Sequence, residues 1–296
     1  CAFTVTVIDN EDPVAVCQTV TLNLGGGTVV LSPAQVFDAG ASSDNCPTVT
    51  PISVAPDIFS AIGTYTVTLT VEDESGNTDQ CSLDITVIDT TPPNAVCIAT
   101  GIDVFLDATG NVIVDGQDLD NGSTDNGVIV SYVADPANFD CSDTGINPIT
   151  LIVTDDGGNS SSCLTTVSVL DTISPVAVCQ DLTIQLDAIG NAGISVANVD
   201  AGSSDNCAGI SLALDKLDFD CSDVGVNTVI LTVTDASGNT STCLSSVTVQ
   251  DIIVPSITCP ADMIQSTDAG LPTATVTVPV PVTDDNCSIL SVLNDF

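Results

Sequence analysis

The segment that decides the fold of this chain is Cys163-Leu-Thr-Thr-Val-Ser-Val-Leu-Asp171-Thr-Ile-Ser-Pro175-Val-Ala-Val-Cys179. Its order of Cys, Asp, Pro and Cys occurs four times with the same spacing, and the final cysteines are Cys17, Cys97, Cys179 and Cys259, which are 80, 82 and 80 residues apart. A fixed period of this kind indicates tandem repeats. The frame predicts the last strand and linker of one repeat at 1–11, whole repeats at 12–91, 92–173 and 174–253, and the first half of a further repeat at 254–296.

Each repeat has the pattern of an all-β domain. Apolar and polar residues alternate in 65–71 and 82–88, which is the period of a strand with one buried face. Gly and Asn in Ser75-Gly76-Asn77 suit a tight turn between such strands, and no segment has a convincing helical pattern. About seven short strands per repeat predict immunoglobulin-like β-sandwiches. Short linkers that contain proline predict that these sandwiches form an extended array.

The charge of the chain excludes several classes of function. It has 39 acidic residues, one basic residue and no His, for a formal net charge of −38. Nucleic acids and anionic membranes are excluded as partners because phosphate binding depends on Lys and Arg. Without His, neither a Ser-His-Asp relay nor a His-ligated transition metal can form. The carboxylates recur with the repeats, as scaffold positions do, so we expect a protein that is not an enzyme.

The cysteines are predicted to form disulfides that stabilise small cores. The first and last strands of an immunoglobulin-like sandwich run parallel, so a cysteine early in each can be neighbours. The predicted pairs are Cys17–Cys81, Cys97–Cys163 and Cys179–Cys243, with Cys207–Cys221 as a second bridge, although four cysteines allow three connectivities. Ser60 and Gly127 stand where the partners of Cys46 and Cys141 are expected, which leaves two alternatives for these cysteines, a free thiol or a bridge to another repeat or chain. Disulfides predict a secreted, extracellular protein.

Aspartates recur in three segments of each repeat: the linker, an Asp-Asn pair after the second strand, and a late hairpin. In an immunoglobulin-like sandwich these segments lie at the end where the chain enters, so we expect them to converge at the repeat junctions. Carboxylate and amide oxygens are ligands that Ca²⁺ prefers, whereas the alternative is that Asp and Asn serve only the turns. The predicted structural calcium ligands are Asp9, Asp44, Asn45, Asp73, Asn77, Asp89, Asp125, Asn126, Asp155, Asn159, Asp171, Asp205, Asn206, Asp235, Asn239, Asp251, Asp285 and Asn286.

Several motifs resemble HYR (hyalin repeat) domains, especially the four-cysteine variety found in tandem on very large bacterial surface proteins. They are Pro-Val-Ala-Val-Cys at 13–17 and 175–179, Asp-Asn-Cys at 44–46, 205–207 and 285–287, and Val-Thr-Asp-Ala-Ser-Gly-Asn at 233–239. The resemblance implies an extracellular adhesion module that is often used in long stalks. Asp-Thr-Thr at 89–91 and Asp-Thr-Ile at 171–173 are similar to the O-glycosylation pattern of such bacteria, which implies glycans on Thr90 and Thr172.

Two functions follow as expectations. The first is a structural stalk segment of a secreted cell-surface fibre or giant adhesin, rigidified by disulfides and by inter-domain calcium. Its partners would be the neighbouring repeats of the same chain and other copies in a fibre, with no direct membrane insertion. The alternative is a ligand-binding adhesion module that recognises a glycan or a protein through its loops, where 51–61 is the most divergent stretch.

Overall fold

The computed structural model describes residues 1–25, 27–270 and 272–293 of the chain. The chain forms two compact units, one containing residues 1–105 and 111–170 and the other containing residues 106–110 and 171–296. Strands account for 44% of the structure and helices for 6%, which confirms the all-β, immunoglobulin-like fold class. The predicted repeat boundaries and the extended arrangement of the array stay predictions.

The first repeat has a four-stranded sheet in the order β1-β6-β5-β3 and a small sheet of β2 and β4. Strand β1 runs parallel to β6, while β5 is antiparallel to both of its neighbours. The first and last strands are therefore adjacent and parallel, as the sandwich prediction requires. The elements are β1 (Thr21–Asn23), β2 (Val29–Val30), helix α1 (Pro33–Val36), β3 (Val49–Ala55), β4 (Ile58–Phe59), β5 (Gly63–Asp73) and β6 (Thr78–Ile88).

The second repeat, which lies in the same unit except for residues 106–110, has the same topology. Its large sheet has the order β7-β12-β11-β9, with β7 parallel to β12, and its small sheet pairs β8 with β10. A 3₁₀ helix at Cys141–Asp143 follows β10. The elements are β7 (Ile102–Phe105), β8 (Asn111–Ile113), helix α2 (Gly116–Leu119), β9 (Ile129–Asp135), β10 (Asn138–Asp140), β11 (Gly145–Asp155) and β12 (Ser160–Leu170).

The second unit contains the third repeat and the strands that follow it. The large sheet has the order β13-β18-β17-β15, the small sheet pairs β14 with β16, and β19 pairs with β20. A second 3₁₀ helix lies at Cys221–Asp223. The elements are β13 (Leu182–Gln185), β14 (Asn191–Gly193), helix α3 (Val196–Val199), β15 (Ser211–Leu214), β16 (Asp218–Asp220), β17 (Gly225–Thr234), β18 (Thr240–Gln250), β19 (Ser256–Thr258) and β20 (Val282–Asp284).

Alternation along the long hairpin strands forms the core of each repeat. On β11, Ile149, Leu151 and Val153 are fully buried, because successive side chains of a strand point to opposite faces. The late turn that joins β11 to β12 contains Gly158 at a φ of 85°, a conformation that glycine adopts without a Cβ clash. The hairpin therefore places one apolar face inside and aligns the cysteine of β12 beside the start of the repeat.

Replacing Ile149 with Val tests this assignment of faces. The Ile149 side chain is 0% exposed, so we expect the loss of one methyl group to lower the free energy of unfolding by about 1 kcal/mol. The matched control on the same strand is Ile146→Val, since Ile146 is 79% exposed and should change stability little. Urea unfolding measures both variants. Equal effects would mean that β11 presents a different face to the core.

Three predicted disulfides form in the structure. Cys17 bonds to Cys81, Cys97 to Cys163 and Cys179 to Cys243, with Cα atoms 5.8 to 5.9 Å apart. Each bond joins the segment before the first strand of a repeat to its last strand. The parallel pairing of those two strands brings the cysteines together, which is the reason the prediction was correct.

The predicted Cys207–Cys221 bond is wrong. Cys221 bonds to Cys287 instead, with Cα atoms 5.6 Å apart, because the 3₁₀ helix that carries Cys221 lies against the Asp-Asn-Cys loop beyond its own repeat. Cys207 and Cys141 are each disulfide-bonded, so the free-thiol alternative for Cys141 is also wrong. Cys46 is free and partly buried, whereas Cys1 and Cys259 are free and exposed. Ten bonded cysteines place the chain in an oxidising, extracellular compartment.

The three helices were not expected from the sequence. Each has four residues, which is about one turn and too short to show a helical period. Polar side chains satisfy their amino ends: the Gln35 Oε1 atom accepts a hydrogen bond from the Ser32 N–H at 2.8 Å, and the Asn198 Oδ1 atom accepts one from the Ser195 N–H at 2.8 Å. Within the described ranges, every helix falls short of the length and hydrophobicity that a membrane span needs.

Candidate metal centres at the linkers

The structure brings three linker aspartates together with loops of the repeat that follows each linker. In each group, one ligand atom per residue lies within 4.8 Å of the others. The first cluster is Asp9, Asp44 and Cys46, the second cluster is Asp89, Asp125 and Asp155, and the third cluster is Asp171, Asp205 and Cys207.

The second cluster shows the arrangement most fully. Asp89 directly follows the last residue of β6, and its Oδ2 atom accepts a hydrogen bond from the Asn126 amide at 2.9 Å. The Asp125 Oδ2 atom accepts one from the Gly127 N–H at 2.7 Å. Asp89 and Asp155 are only 4% and 1% exposed. Two buried carboxylates and a third beside them thus lie at the end of the repeat where the chain enters.

The late hairpin attaches each linker to the following repeat in the same way. The side-chain amides of Asn77, Asn159 and Asn239 donate to the backbone carbonyls of the linker aspartates at 3.5, 3.1 and 3.1 Å. The same amides also donate to the first aspartate of their own hairpins, Asp73, Asp155 and Asp235. Each hairpin aspartate is therefore held beside the linker.

The Asp-Asn pairs complete the first and third clusters. The Asn45 amide donates to Asp9 Oδ1 at 3.1 Å, and Asp44 Oδ2 accepts from the Cys46 N–H at 2.9 Å. In the third cluster, Asp205 Oδ2 accepts from the Cys207 N–H at 3.1 Å. The loop geometry is thus repeated: in both loops the aspartate carboxylate accepts a hydrogen bond from the backbone N–H two positions later.

The linker that follows the third repeat has fewer of these contacts. The Asp251 Oδ1 atom accepts a hydrogen bond from the Ile253 N–H at 3.1 Å. Asp285 and Asn286 lie on the loop after β20. Among the described residues, neither Asp251 nor Asp285 belongs to a cluster of three or more His, Cys, Asp or Glu side chains.

Oxygen atoms that can only accept hydrogen bonds are left without partners at these sites. Among the described residues, seven buried side-chain polar atoms have no hydrogen-bond partner. Six of the seven belong to the predicted ligands, and the exception is Ser241 Oγ. The six are Asp9 Oδ2, Asp125 Oδ1, Asn126 Oδ1, Asp171 Oδ2, Asp285 Oδ1 and Asn286 Oδ1. A buried acceptor without a partner costs about 1–3 kcal/mol, and a cation would satisfy several of them at once.

The Asp205-Asn206 pair likewise has oxygen acceptors that lack a donor. The Asn206 Oδ1 atom lies 3.1 Å and 3.3 Å from the two carboxylate oxygens of Asp205. Turning the amide around would relieve this contact, but it would take the N–H groups away from Asp171 Oδ1 and Asp107 O, to which they now donate. In one orientation the amide oxygen faces the Asp205 carboxylate, and in the other it faces Asp171 Oδ1 and Asp107 O. The loop therefore has more hydrogen-bond acceptors than donors.

Hydrogen bonds lower the pKa of two linker carboxylates, those of Asp9 and Asp89. Cys46, the Glu11 N–H and Asn45 lower the pKa of Asp9 from its usual value. The Thr91 N–H and the Asn126 amide lower the pKa of Asp89, against the opposing effect of burial. The hydrogen bond to Asp9 and burial raise the pKa of the Cys46 thiol to about 11. At neutral pH the first cluster therefore combines the ionised carboxylate of Asp9 with the protonated thiol of Cys46.

The ligand atoms shared by the three clusters are oxygens. The second cluster has Gly127 where the others have cysteine, and Cys207 is already in a disulfide. A neutral thiol is a poor metal ligand because metals bind the thiolate. A set of carboxylate and carbonyl oxygens suits Ca²⁺, which tolerates irregular geometry, better than it suits Mg²⁺ or Zn²⁺.

Two backbone positions at these sites were missed by the sequence analysis. The carbonyls of Asp107 and Asp187 accept hydrogen bonds from the Asn206 and Asn286 amides at 3.3 and 3.2 Å. Both aspartates begin the turn between the first two strands of a repeat, that is, between β7 and β8 and between β13 and β14. The sequence indicates only a turn at these positions. Their recurrence at the same repeat position was the available signal.

Thr90 and Thr172, the predicted O-glycosylation sites, both have exposed side chains. The Thr90 Oγ1 atom accepts a hydrogen bond from the Asn23 amide at 2.5 Å. Each threonine directly follows a linker aspartate. A glycan at either position stays a prediction.

Comparisons with known proteins identify relatives of these repeats. Residues 8–87 match the HYR domain family. Hyalin of Strongylocentrotus purpuratus is 33% identical over 223 residues, which cover 69% of this chain and 18% of that protein. Hyalin of Lytechinus variegatus is 27% identical over 311 residues, which cover 97% of this chain and 57% of that protein. The chain thus spans less than two thirds of either relative.

Comparison with solved structures gives matches of low similarity. The titin I-band fragment I67–I69 matches with a TM-score of 0.38 and 11% identity, covering 82% of this chain and 100% of the fragment. The protocadherin γB4 extracellular domain matches with a TM-score of 0.30 and 16% identity, covering 87% of this chain and 53% of that one. Both TM-scores are low, so neither likeness bears on function.

Proposed function

Since this chain carries HYR-like repeats of an extracellular, adhesion-type protein, we propose that it is a structural stalk segment of a secreted cell-surface fibre or giant adhesin. In this proposal the disulfides stabilise each sandwich, and calcium bound at the linker clusters fixes each linker to the repeat that follows it. The role is structural rather than enzymatic.

The observation that carries the calcium part is the set of buried acceptors without partners at the linkers. Two carboxylates about 4 Å apart repel each other by ~1 kcal/mol even in water, and by more where water is excluded. The second cluster holds three carboxylates in a chain of net charge −38. A divalent cation replaces this repulsion with attraction and satisfies the orphaned oxygens.

The position of Asp89 explains how binding would affect stiffness. Asp89 is the first residue after β6 of the first repeat, while Asp125 lies in a loop and Asp155 is the last residue of β11 in the second repeat. An ion held by all three would fix the last strand of one repeat to a loop and a strand end of the next. Bending at the linker would then require at least one ligand to leave the ion.

The stretch 51–61, considered for ligand recognition, lies mostly in β3 and β4 rather than in a free loop. This placement favours the structural role over the alternative of a loop-based binding module.

Calcium removal tests the proposed function. We expect isothermal titration to give at least three calcium ions per chain, one for each cluster. In electron micrographs of single chains, the spread of angles between successive repeats should widen after treatment with EDTA and narrow again when calcium is restored. Magnesium at the same concentration is the control and should restore the narrow spread less well. An unchanged spread, or no calcium binding, would overturn the proposal.

A further inference from the structure

The Cys221–Cys287 disulfide joins different repeats. Cys221 lies in the 3₁₀ helix after β16 of the third repeat, whereas Cys287 follows β20 in the Asp285-Asn286-Cys287 loop of the next one. The bond therefore links the early part of one sandwich to a 3₁₀ helix of the sandwich before it, rather than closing a loop inside one repeat.

The residues around this disulfide allow the Asp285-Asn286-Cys287 loop to lie close to Cys221. Cys221 Sγ lies 3.4 Å from the carbonyl oxygen of Asn286, and the Asn286 amide donates to the Asp187 carbonyl at 3.2 Å. Gly190 has a φ of +80°, and a Cβ there would come within 2.7 Å of both Cys221 Sγ and Asn286 O. Only glycine leaves room for the Asp-Asn-Cys loop to reach the cysteine of the preceding repeat.

In the first repeat, Cys46 occupies the position that corresponds to Cys287. It ends the same Asp-Asn-Cys motif, and its N–H donates to the Asp44 carboxylate at 2.9 Å, in the loop geometry repeated at Cys207. Cys46 has no disulfide partner and is partly buried. The first repeat thus presents a thiol where the equivalent loop makes a bond to another repeat.

An independent observation supports pairing across repeats. In the first repeat, Phe59 is followed by Ser60 and then by β5 at Gly63, so the 3₁₀ helix that carries a cysteine in the other two repeats is missing. The next repeat has Gly127 where the Asp-Asn-Cys cysteine would stand. The two halves of one inter-repeat bridge are therefore absent together, as expected if they normally pair with each other.

We propose that Cys46 is a cross-linking site for another HYR-like repeat, and that it bonds to a cysteine in the 3₁₀ helix of that repeat as Cys287 bonds to Cys221. A low-molecular-weight disulfide serves as the oxidant. The two protein thiols lose their protons and two electrons, one S–S bond forms, and the oxidant is reduced to two thiols.

The test uses two forms of the full chain. In the donor, Cys287→Ser frees Cys221, and Cys1, Cys46 and Cys259 are replaced with Ser; Cys221 is then converted to an aryl mixed disulfide. The acceptor is the unchanged chain. The Cys46 thiol should lose its proton to the buffer, attack the Cys221 sulfur and release the aryl thiolate, giving a cross-linked dimer on non-reducing electrophoresis. Mass spectrometry should find the Cys46–Cys221 bond at least about tenfold more often than a Cys259–Cys221 bond, because docking orients the thiol.

Two controls separate docking from simple reactivity. The small aryl disulfide reagent alone should label exposed Cys1 and Cys259 before partly buried Cys46. A donor activated at Cys259, with the Cys221–Cys287 bond intact, should show no preference for Cys46. The proposal is overturned if cross-links to Cys221 follow the order found with the small reagent.

A second measurement applies if the donor variant does not fold. The protein from its natural source is alkylated without reduction and then mapped. Cys46 should be protected and found bonded to a cysteine in a Phe-x-Cys-Ser-Asp segment, the motif that surrounds Cys141 and Cys221. Complete alkylation of Cys46 in the folded natural protein would overturn the proposal.

Discussion

Replacing Cys97 and Cys163 together with alanine is expected to lower the free energy of unfolding of the second repeat by about 4 kcal/mol. The bond closes a loop with a sequence separation of 66 residues, and in the chain-entropy model a loop of about this length gives that value. The loss is large because a sandwich of this size has a modest core. The structure adds a reason that is specific to this site: the bond holds the start of the repeat beside β12, where β7 pairs in parallel.

The tyrosines of the chain are an intrinsic fluorescence probe for this measurement. It has no Trp and two Tyr, with Tyr65 in the first repeat and Tyr132 in the second. In a Tyr65→Phe background, tyrosine fluorescence during urea unfolding reports the second repeat alone. The control is Cys259→Ala, because Cys259 is free and exposed and its loss should change stability by less than about 0.5 kcal/mol. A loss below about 1 kcal/mol in the double variant would contradict the role given to this bond.

Replacing Asp125 with Asn is expected to have opposite effects with and without calcium. Asn keeps an oxygen to accept the Gly127 N–H, but it places an amide where the orphaned Asp125 Oδ1 now faces the cluster. Without calcium, one fewer charge beside Asp89 and Asp155 should stabilise the second repeat by about 1 kcal/mol. With calcium at about 100 times its dissociation constant for the natural chain, binding contributes about 2.7 kcal/mol to the folded state, and the variant should lose most of this gain.

Thermal unfolding followed by Tyr132 fluorescence in the Tyr65→Phe background measures both effects. The matched control is Asp103→Asn, which removes one exposed carboxylate on β7 of the same repeat, outside the cluster. The control should keep the full calcium-dependent rise in melting temperature. If Asp125→Asn keeps that rise as well, or destabilises the repeat in EDTA, the second cluster is not a calcium site.

The strands could be predicted because alternation of apolar and polar residues is a short-range pattern, and the pairing of the first and last strands followed from the architecture that this pattern indicated. Alternation in 65–71 identified the faces of β5, on which Val67, Leu69 and Val71 are fully buried. Once that alternation indicated a sandwich, the parallel first and last strands followed from the architecture, and the disulfides such as Cys17–Cys81 followed from the strands. The short helices were missed because four residues carry no periodicity.

The sequence predicted that the three aspartates of the second cluster would lie together, but it could not predict their burial or their hydrogen bonds. Recurrence at fixed repeat positions indicated that Asp89, Asp125 and Asp155 would meet, and the structure brings them together. The sequence could not show that Asp89 and Asp155 would be almost fully buried, nor that the hydrogen bonds would leave Asp125 Oδ1 without a partner. Burial of these carboxylates and the pairing of their oxygens in hydrogen bonds depend on how the linker, a loop and the end of β11 pack together, which no local pattern encodes.

By itself the sequence determined the repeat period, the all-β class, the buried faces of the strands at 65–71 and 82–88, and the aspartates that recur at the same repeat positions. All of these are set by residues close together in the chain or by exact recurrence. Only the tertiary structure decided that Cys221 pairs with Cys287 rather than with Cys207. The choice between two chemically identical sulfurs depends on which loop reaches the 3₁₀ helix, and that is a matter of distance in space.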